Sequence, residues 1–249
     1  MNRTRPLAVA IMAAGQGKRM NSPLPKVLHE IGGKPMLLLV TDLAQSIGAE
    51  RIIAIIGHGR ELVEDTLIGT GVETVIQEQQ LGTGHAIRQT ELLLSGFDGD
   101  IMVLSGDVPL LTRASLEKLL ATHYKSQAGA TLMTARFDDP TGYGRIIRDA
   151  NGFLDKIVEH RDCTPEQLDI NEINAGIYIF DAKTLFKSLK LIDNNNAQGE
   201  YYLPDSLNNF PQFGHTIALE LLDDPVEIAG INTREQLIKI NRIFSERNG

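Results

Sequence analysis

Apolar residues in the first half of the chain fall into short blocks, with longer amphipathic stretches between them. Residues 7–12, 51–56, 72–77 and 101–104 form such blocks. Each is too short for a helix and is bounded by small or polar residues, so each predicts a strand buried in a sheet. Residues 36–47, 60–68, 83–94 and 112–124 are helix-competent. Lys34-Pro35 predicts the start of the first helix, with proline at the opening position and Gly48 at the C-terminal cap. This alternation predicts a parallel sheet with helices on both faces, and ligands in such sheets lie beyond the strand C-termini. The rhythm then changes: 131–136, 144–148, 153–159 and 172–180 read as strands with few helices between them. This portion is expected to be a mixed sheet lying over the first half and adding a second ligand pocket. A short helix at 204–210 and strands at 216–221 and 226–229 come next. An amphipathic helix at 233–247 closes the chain, with Leu237, Ile240, Ile243 and Phe244 on one face.

The first predicted strand runs directly into Ala13-Ala14-Gly15-Gln16-Gly17, and Lys18, Arg19 and Lys26 come soon after. Small residues let the backbone approach a ligand, successive N–H groups form a concave anion site, and the cations would neutralise phosphate oxygens. The pattern predicts a nucleotide-phosphate cradle; the plainer alternative is a glycine-rich turn between strand and helix. It is not a P-loop, because no Gly-Lys-Ser/Thr stands at the required spacing. Nor does it complete the dinucleotide fingerprint. Met20 stands at the third glycine, and the second strand ends in Gly57-His58-Gly59 without a ribose-binding acid, which disfavours a nicotinamide dehydrogenase. Residues 77–84 and 105–107 also come directly after predicted strands, so three motifs converge on one sheet edge. Asp107 reads either as a turn cap or as a Mg2+ ligand, since such sites often use one or two carboxylates plus substrate phosphates. The nearby cradle favours the metal. Asn232 is a favoured N-cap type, but Thr233 and Gln236 form a capping-box pattern that leaves Asn232 for another task.

Composition narrows the class of ligand. The 249 residues are 42% apolar and 22% charged, ordinary for a globular protein. No apolar run is long enough to cross a bilayer and no signal peptide is visible. The single cysteine, Cys163, excludes an intrachain disulfide and suits a reducing cytoplasm. Residues 1–30, with Arg3, Arg5, Lys18, Arg19 and Lys26 against Glu30, carry a net charge of +4 in a chain of net −8. Basic charge gathered at one loop of an acidic protein points to a small anionic ligand, and away from nucleic acid, which wants a broad basic face.

AAGQGKRMNSPLPKVLH resembles the L-x-A-G-x-G-T-R-M-x-S-x-x-P-K signature of sugar-1-phosphate nucleotidylyltransferases. It is most similar to the uridylyltransferase half of the bacterial bifunctional uridyltransferase/acetyltransferases. Q-x-x-Q-L-G-T-G-H-A at 77–86, G-D-V-P-L at 106–110, T-G-Y-G-R-I at 141–146, I-V-E-H at 157–160 and E-I-N-x-G-I at 172–177 extend the resemblance. Lys18 and Ala175 replace usual threonines, and Ser105 stands where relatives often have tyrosine, so only its backbone contact is expected to carry over.

The resemblance implies an α/β, Rossmann-like mixed, mostly parallel sheet of the nucleotide-diphospho-sugar transferase type. It implies one domain over 1–249, with a nucleotide-binding half to about 125, a sugar-binding half to about 230 and a C-terminal helix. Met12, Ala13, Ala14, Gly15, Gly17, Lys26, Ser105 and Gly106 would hold the nucleotide, and Gln77, Gly82 and Thr83 would read uracil. Gly144, Glu159 and Asn174 would hold the sugar, with Glu200 and Tyr202 as weaker candidates. Asp107 and Asn232 would bind Mg2+, while Arg19 and Lys26 neutralise the triphosphate; the Lys26 side chain is expected to face solvent. The implied partners are UTP and N-acetylglucosamine 1-phosphate, with no nucleic acid or membrane, in the cytoplasm; oligomeric state stays open. Two alternatives remain: another sugar 1-phosphate (glucose 1-phosphate with UTP or dTTP), or a non-catalytic sugar-nucleotide sensor. The bifunctional family continues into hexapeptide repeats bearing an acetyltransferase. None stands in this sequence, so acetyl transfer is not expected, and a piece of a longer chain and a single-function homologue remain equally open.

Overall fold

Strand β1 (Leu7–Met12) lies at the heart of the molecule, its first five residues inaccessible to solvent. Leu7, Val9 and Ile11 pack into one core and Ala8 and Ala10 into another, the alternation a pleated strand imposes. A strand apolar on both faces must be covered on both faces. The computed structural model describes residues 5–248; Arg3, one of the basic residues of the N-terminal stretch, lies outside them.

In chain order β1 is followed by a hairpin of β2 (Glu30–Ile31) and β3 (Lys34–Pro35), then α1 (Met36–Ser46), β4 (Arg51–Ile56), α2 (Arg60–Leu67) and β5 (Glu73–Ile76). Next come α3 (Thr83–Arg88), β6 (Asp100–Ser105), α4 (Arg113–Ser126), β7 (Ala130–Arg136), β8 (Arg145–Arg148) and β9 (Leu154–Val158). α5 (Pro165–Leu168), β10 (Glu172–Asp181), α6 (Ala182–Leu189), β11 (Ile217–Leu221) and α7 (Arg234–Asn248) complete the order. The sheet runs β11-β7-β10-β6-β1-β4-β5. All pairings along this path are parallel except those of β10, which is antiparallel to both β6 and β7. Helices α1, α2 and α4 cover one face, while α3, α6 and the 3-10 turn Leu203–Asn209 cover the other. The mixed, mostly parallel sheet clad on both faces is as expected. Among the described residues no helix is long and apolar enough to cross a membrane.

Four expectations are corrected, and one helix is added. Lys34-Pro35 does not open the helix: it pairs with Glu30–Ile31 around Gly32-Gly33, and Pro35 caps α1 with extended backbone. The helix expected over 83–94 stops at Arg88, beyond which the chain tightens into turns such as Thr90 N–H to Ile87 O. Residues 226–229 are not a strand: the Asp224 carboxylate caps Val226 N–H and Pro225 opens a 3-10 turn, Pro225–Ile228. Helix α6 has no counterpart in the sequence pattern, although Asp181 accepting from Thr184 N–H at 2.8 Å is an ordinary N-cap. The second half does not lie over the first. It continues the same sheet, because β10 registers Tyr178–Asp181 against the buried residues 100–103 of β6.

The C-terminal helix reaches back to the start of the chain. Ile240, 3% exposed, packs with Met20, Ile31, Met36, Leu110 and Ile231, and the expected stripe of Leu237, Ile243 and Phe244 lies against this cluster. Arg234 donates to the carbonyls of Met20 at 3.1 Å and Asn21 at 2.7 Å, and Asn241 bridges Gly32 N–H and Glu30 O. Helix α7 therefore clamps the segment beyond the β1 loop. Ile240→Ala is expected to cost about 2–5 kcal/mol through the cavity it leaves, read by chemical denaturation, with hydrogen exchange rising in α7 and around Met20.

Candidate active site

β1, β5 and β6 all end at one edge of the sheet, and the loop after β1 lies in the middle of it. Its carbonyls are used internally: Met12 O accepts from Gly106 N–H at 3.0 Å, and Ala14 O accepts from the Gln80 amide at 2.5 Å. Its N–H groups beyond Ala13, which donates to Ile55 O at 2.9 Å, are not. Those of Ala14, Gly15, Gln16 and Gly17 meet no acceptor among the described residues, the arrangement of an anion-binding nest. Gly17 has φ +58°, and a Cβ there would fall 2.8 Å from the Lys26 Cβ. Only glycine lets the loop fold back onto that lysine.

Lys26 does not face solvent as expected. Its ammonium is ion-paired with Asp107 Oδ2 and lies 3.1 Å from Asn232 Oδ1, with the Lys26 and Asp107 side chains only 14% and 12% exposed. The other Asp107 oxygen accepts from the Ser105 hydroxyl at 2.6 Å. Asp107 therefore does not cap its turn; one oxygen is locked by Ser105 and the other aims at a cation. Asn232 is brought opposite by Ile231 N–H donating to Asp107 O at 3.1 Å. Gln236 Oε1 caps the N–H groups of Asn232 and Thr233, and Thr233 Oγ1 accepts from Gln236 N–H, so the Asn232 side chain is spared. Arg19 lies exposed on the 3-10 turn Lys18–Met20 and makes no ion pair among the described residues.

A cavity of about 250 Å3 joins these groups to the residues expected to read the base, being lined by Met12, Ala13, Ala14, Gly15, Lys26, Gln77, Gly82, Thr83, Ser105 and Asp107. Gln77 is buried, its amide nitrogen 3.1 Å from both Gly82 O and His85 Nδ1, which fixes the amide plane. Gly82 has φ +107° and would place a Cβ 2.6 Å from Tyr201 O. Glu200, expected at the sugar, lines this same cavity. Glu159 and Tyr202 line a second one of about 260 Å3, together with Asp162 and Asp205. Gly144 backs onto it, since a Cβ there would meet Glu159 Oε1 at 3.2 Å. Asn174 lines neither: its amide is engaged with the Tyr178 hydroxyl and Gly176 N–H.

Sequence reasoning missed the Ser105 hydroxyl, Gln80 as the brace of Ala14, and Asp205. No spacing signals the first; Gln80 stands within the Q-x-x-Q motif. Among the described residues no three His, Cys, Asp or Glu side chains gather as a metal cluster. The Cys163 thiol is pushed up by burial, unlike a reactive nucleophile.

A donor nest at the β1 terminus, facing an acid, an amide and an ammonium on a mixed, mostly parallel sheet, defines a nucleotide-diphospho-sugar transferase type of fold. The Nucleotidyl transferase family model matches residues 8–214, and the chain belongs to that family. It is 49% identical over 237 residues to the bifunctional protein GlmU of an Exiguobacterium species and 46% identical to that of Halalkalibacterium halodurans. Each match covers 95% of this chain, which spans about half, 52%, of each relative's length. A solved structure of UDP-glucose pyrophosphorylase complexed with UDP-glucose shares the fold, with a TM-score of 0.78 over 97% of this chain and 99% of that one, at 19% identity.

The second cavity carries a pH signature. Burial first, then Asp205, Asp162 and Glu200, push the Glu159 carboxyl up to about 7, and burial with Asp193 and Asp162 pushes Asp205 up to about 6. An acid with a raised folded pKa stabilises the fold fully below its unfolded value, 4.5 for Glu159, and that stability is lost as pH rises through about 7. Glu159→Gln is therefore expected to melt increasingly above wild type as pH rises from 5, the gap levelling off beyond about 7; a gap independent of pH in thermal melts would contradict this.

Proposed function

We propose that the chain transfers the uridylyl group of UTP to N-acetylglucosamine 1-phosphate, giving UDP-N-acetylglucosamine and pyrophosphate. The observation that carries this reading is the convergence of Lys26, Asp107 and Asn232 beside the unpaired N–H groups of residues 14–17. Its support beyond geometry is the similarity to GlmU proteins along nearly the whole of this chain.

In this reading the nest and Arg19 hold the triphosphate, and the fixed amide of Gln77 with the backbone at Gly82 matches the edge of uracil. The small residues Ala13, Ala14 and Gly82 let the base lie flat. Gly144, Glu159 and Tyr202 line the sugar side, Asn174 shapes it by holding Tyr178, and Glu200 lines the nucleotide-side cavity while its charge is felt at Glu159. A sugar-phosphate oxygen attacks the α-phosphorus in line, the bond to the β-phosphate oxygen breaks, and pyrophosphate leaves with the electron pair. A phosphate dianion is already nucleophilic, so no protein base is needed. The protein's part is positioning and charge neutralisation.

Mg2+ fits the donor set. Asp107 Oδ2 and Asn232 Oδ1 already converge on one cation, the Lys26 ammonium, and a carboxylate with an amide oxygen suits a hard ion that completes its shell with phosphates and water. Asp107 and Asn232 would hold it, and it would supply further neutralisation at the phosphoryl oxygens. Pyrophosphate release across a matrix of nucleotides and sugar phosphates is expected to be fastest with UTP and N-acetylglucosamine 1-phosphate and to stop in excess EDTA. A preference for glucose 1-phosphate or dTTP, or full turnover in EDTA, would overturn it. Lys26→Ala is expected to lower kcat by about 10²–10³ while KM for the sugar phosphate changes little, read by steady-state kinetics.

A further inference from the structure

We propose that Lys26 and the divalent cation compete for the same two oxygens, so that Lys26 serves as a placeholder that the nucleotide's phosphates draw away as the metal takes its position. This rests on the assignment of Asp107 and Asn232 as metal ligands under the proposed function.

The site is built for exchange. Asp107 Oδ1 is taken by the Ser105 hydroxyl, which leaves Oδ2 as the oxygen facing a cation, and the Lys26 ammonium is on it. Asn232 Oδ1, the other candidate ligand, is also within 3.1 Å of that ammonium. Two positive charges cannot share this position, so Lys26 must leave when a metal arrives. The Lys26 and Asp107 side chains are largely buried, and a buried carboxylate without a cation is strongly unfavourable. An ammonium withdrawn from Asp107 needs another anion for the same reason.

That anion has a place within reach. Lys26 lines the same cavity as Gly15, whose free N–H belongs to the phosphate nest. The backbone at Lys26 is held: Pro25 is buried against Gly59, where a Cβ would come within 2.5 Å of the Pro25 ring, and Gly17 packs on the Lys26 Cβ. Only the flexible stem beyond Cβ has to turn, which a lysine does readily. The consequence is coupling: metal alone binds weakly because it must strand the ammonium, and a triphosphate strengthens metal binding by accepting it.

Mn2+ titration followed by electron paramagnetic resonance, with no nucleotide present, tests this. Lys26→Met, similar in length and uncharged, is expected to bind Mn2+ about 5–150-fold more tightly than wild type, the usual range of a coupling between sites. Asp107→Asn should abolish that gain in the Lys26→Met background. Equal or weaker Mn2+ binding by Lys26→Met, with Asp107→Asn still weakening it, overturns the exchange and leaves the metal assignment intact. Tight binding that ignores Asp107→Asn sinks the metal assignment itself. Wild type supplies a check that needs no substitution. Acylation of Lys26 by an amine-directed reagent, followed by peptide mass spectrometry, should accelerate as Mg2+ alone is raised to saturation; an unchanged rate would contradict the exchange.

Discussion

A buried carboxylate that demands a cation holds this molecule's working edge together. Asp107 stands just past the end of β6, Lys26 lies beyond the β1 loop and Asn232 precedes α7, and the three meet at one point. Each is placed by a different device: Ser105 orients the acid, Gly17 admits the lysine stem, and Ile231 N–H fastens the asparagine segment to the Asp107 carbonyl. Loosening the acid or the lysine stem would leave a largely buried charge uncompensated, and loosening the asparagine segment would take an acceptor from the Lys26 ammonium, so the three devices depend on one another.

The sheet was legible because its strands are buried on both faces and must be apolar throughout; β1, β4 and β6 stand out for that reason. The loop after β1, with its row of unpaired N–H groups, was legible because small residues and glycines directly after a strand are a local signal. The misread elements have an equally physical cause. Proline at 35 and at 225 suits a helix start, a cap or a turn equally, and the choice was made by Gly32-Gly33 in one case and the Asp224 carboxylate in the other. Lys26 looked like a surface cation because its partners lie 81 and 206 residues away, beyond any local pattern. Glu159 and Asn174 were singled out only through resemblance, and their environments differ: one is an acid among acids, the other is bonded to Tyr178.

The reversed strand β10 explains how one sheet serves two cavities. Because it runs against its neighbours, Glu172 and Asn174 come early in the strand, beside β7, while Tyr178–Asp181 pair with β6 in the shared core. Its register shifts between Asn174 and Tyr178, where Gly176 adopts φ +73° and its N–H donates to the side-chain oxygen of Asn174. The β8–β9 hairpin joins at Ile173 and carries Glu159 just beyond its end. The second pocket is thus an outgrowth of the first half's sheet.

The separation between Lys26 and Asn232 has a bearing on synthesis. A chain leaves the ribosome from its N-terminus, and early segments can pair while later ones are still being made. The N–H nest after β1 and the acid at 107 exist long before residue 232 is polymerised, yet the amide that completes their polar cluster does not. A nascent chain would therefore pass through a stage with most of its sheet assembled and the corner where Lys26, Asp107 and Asn232 meet unfinished, so that this corner closes late and in one step.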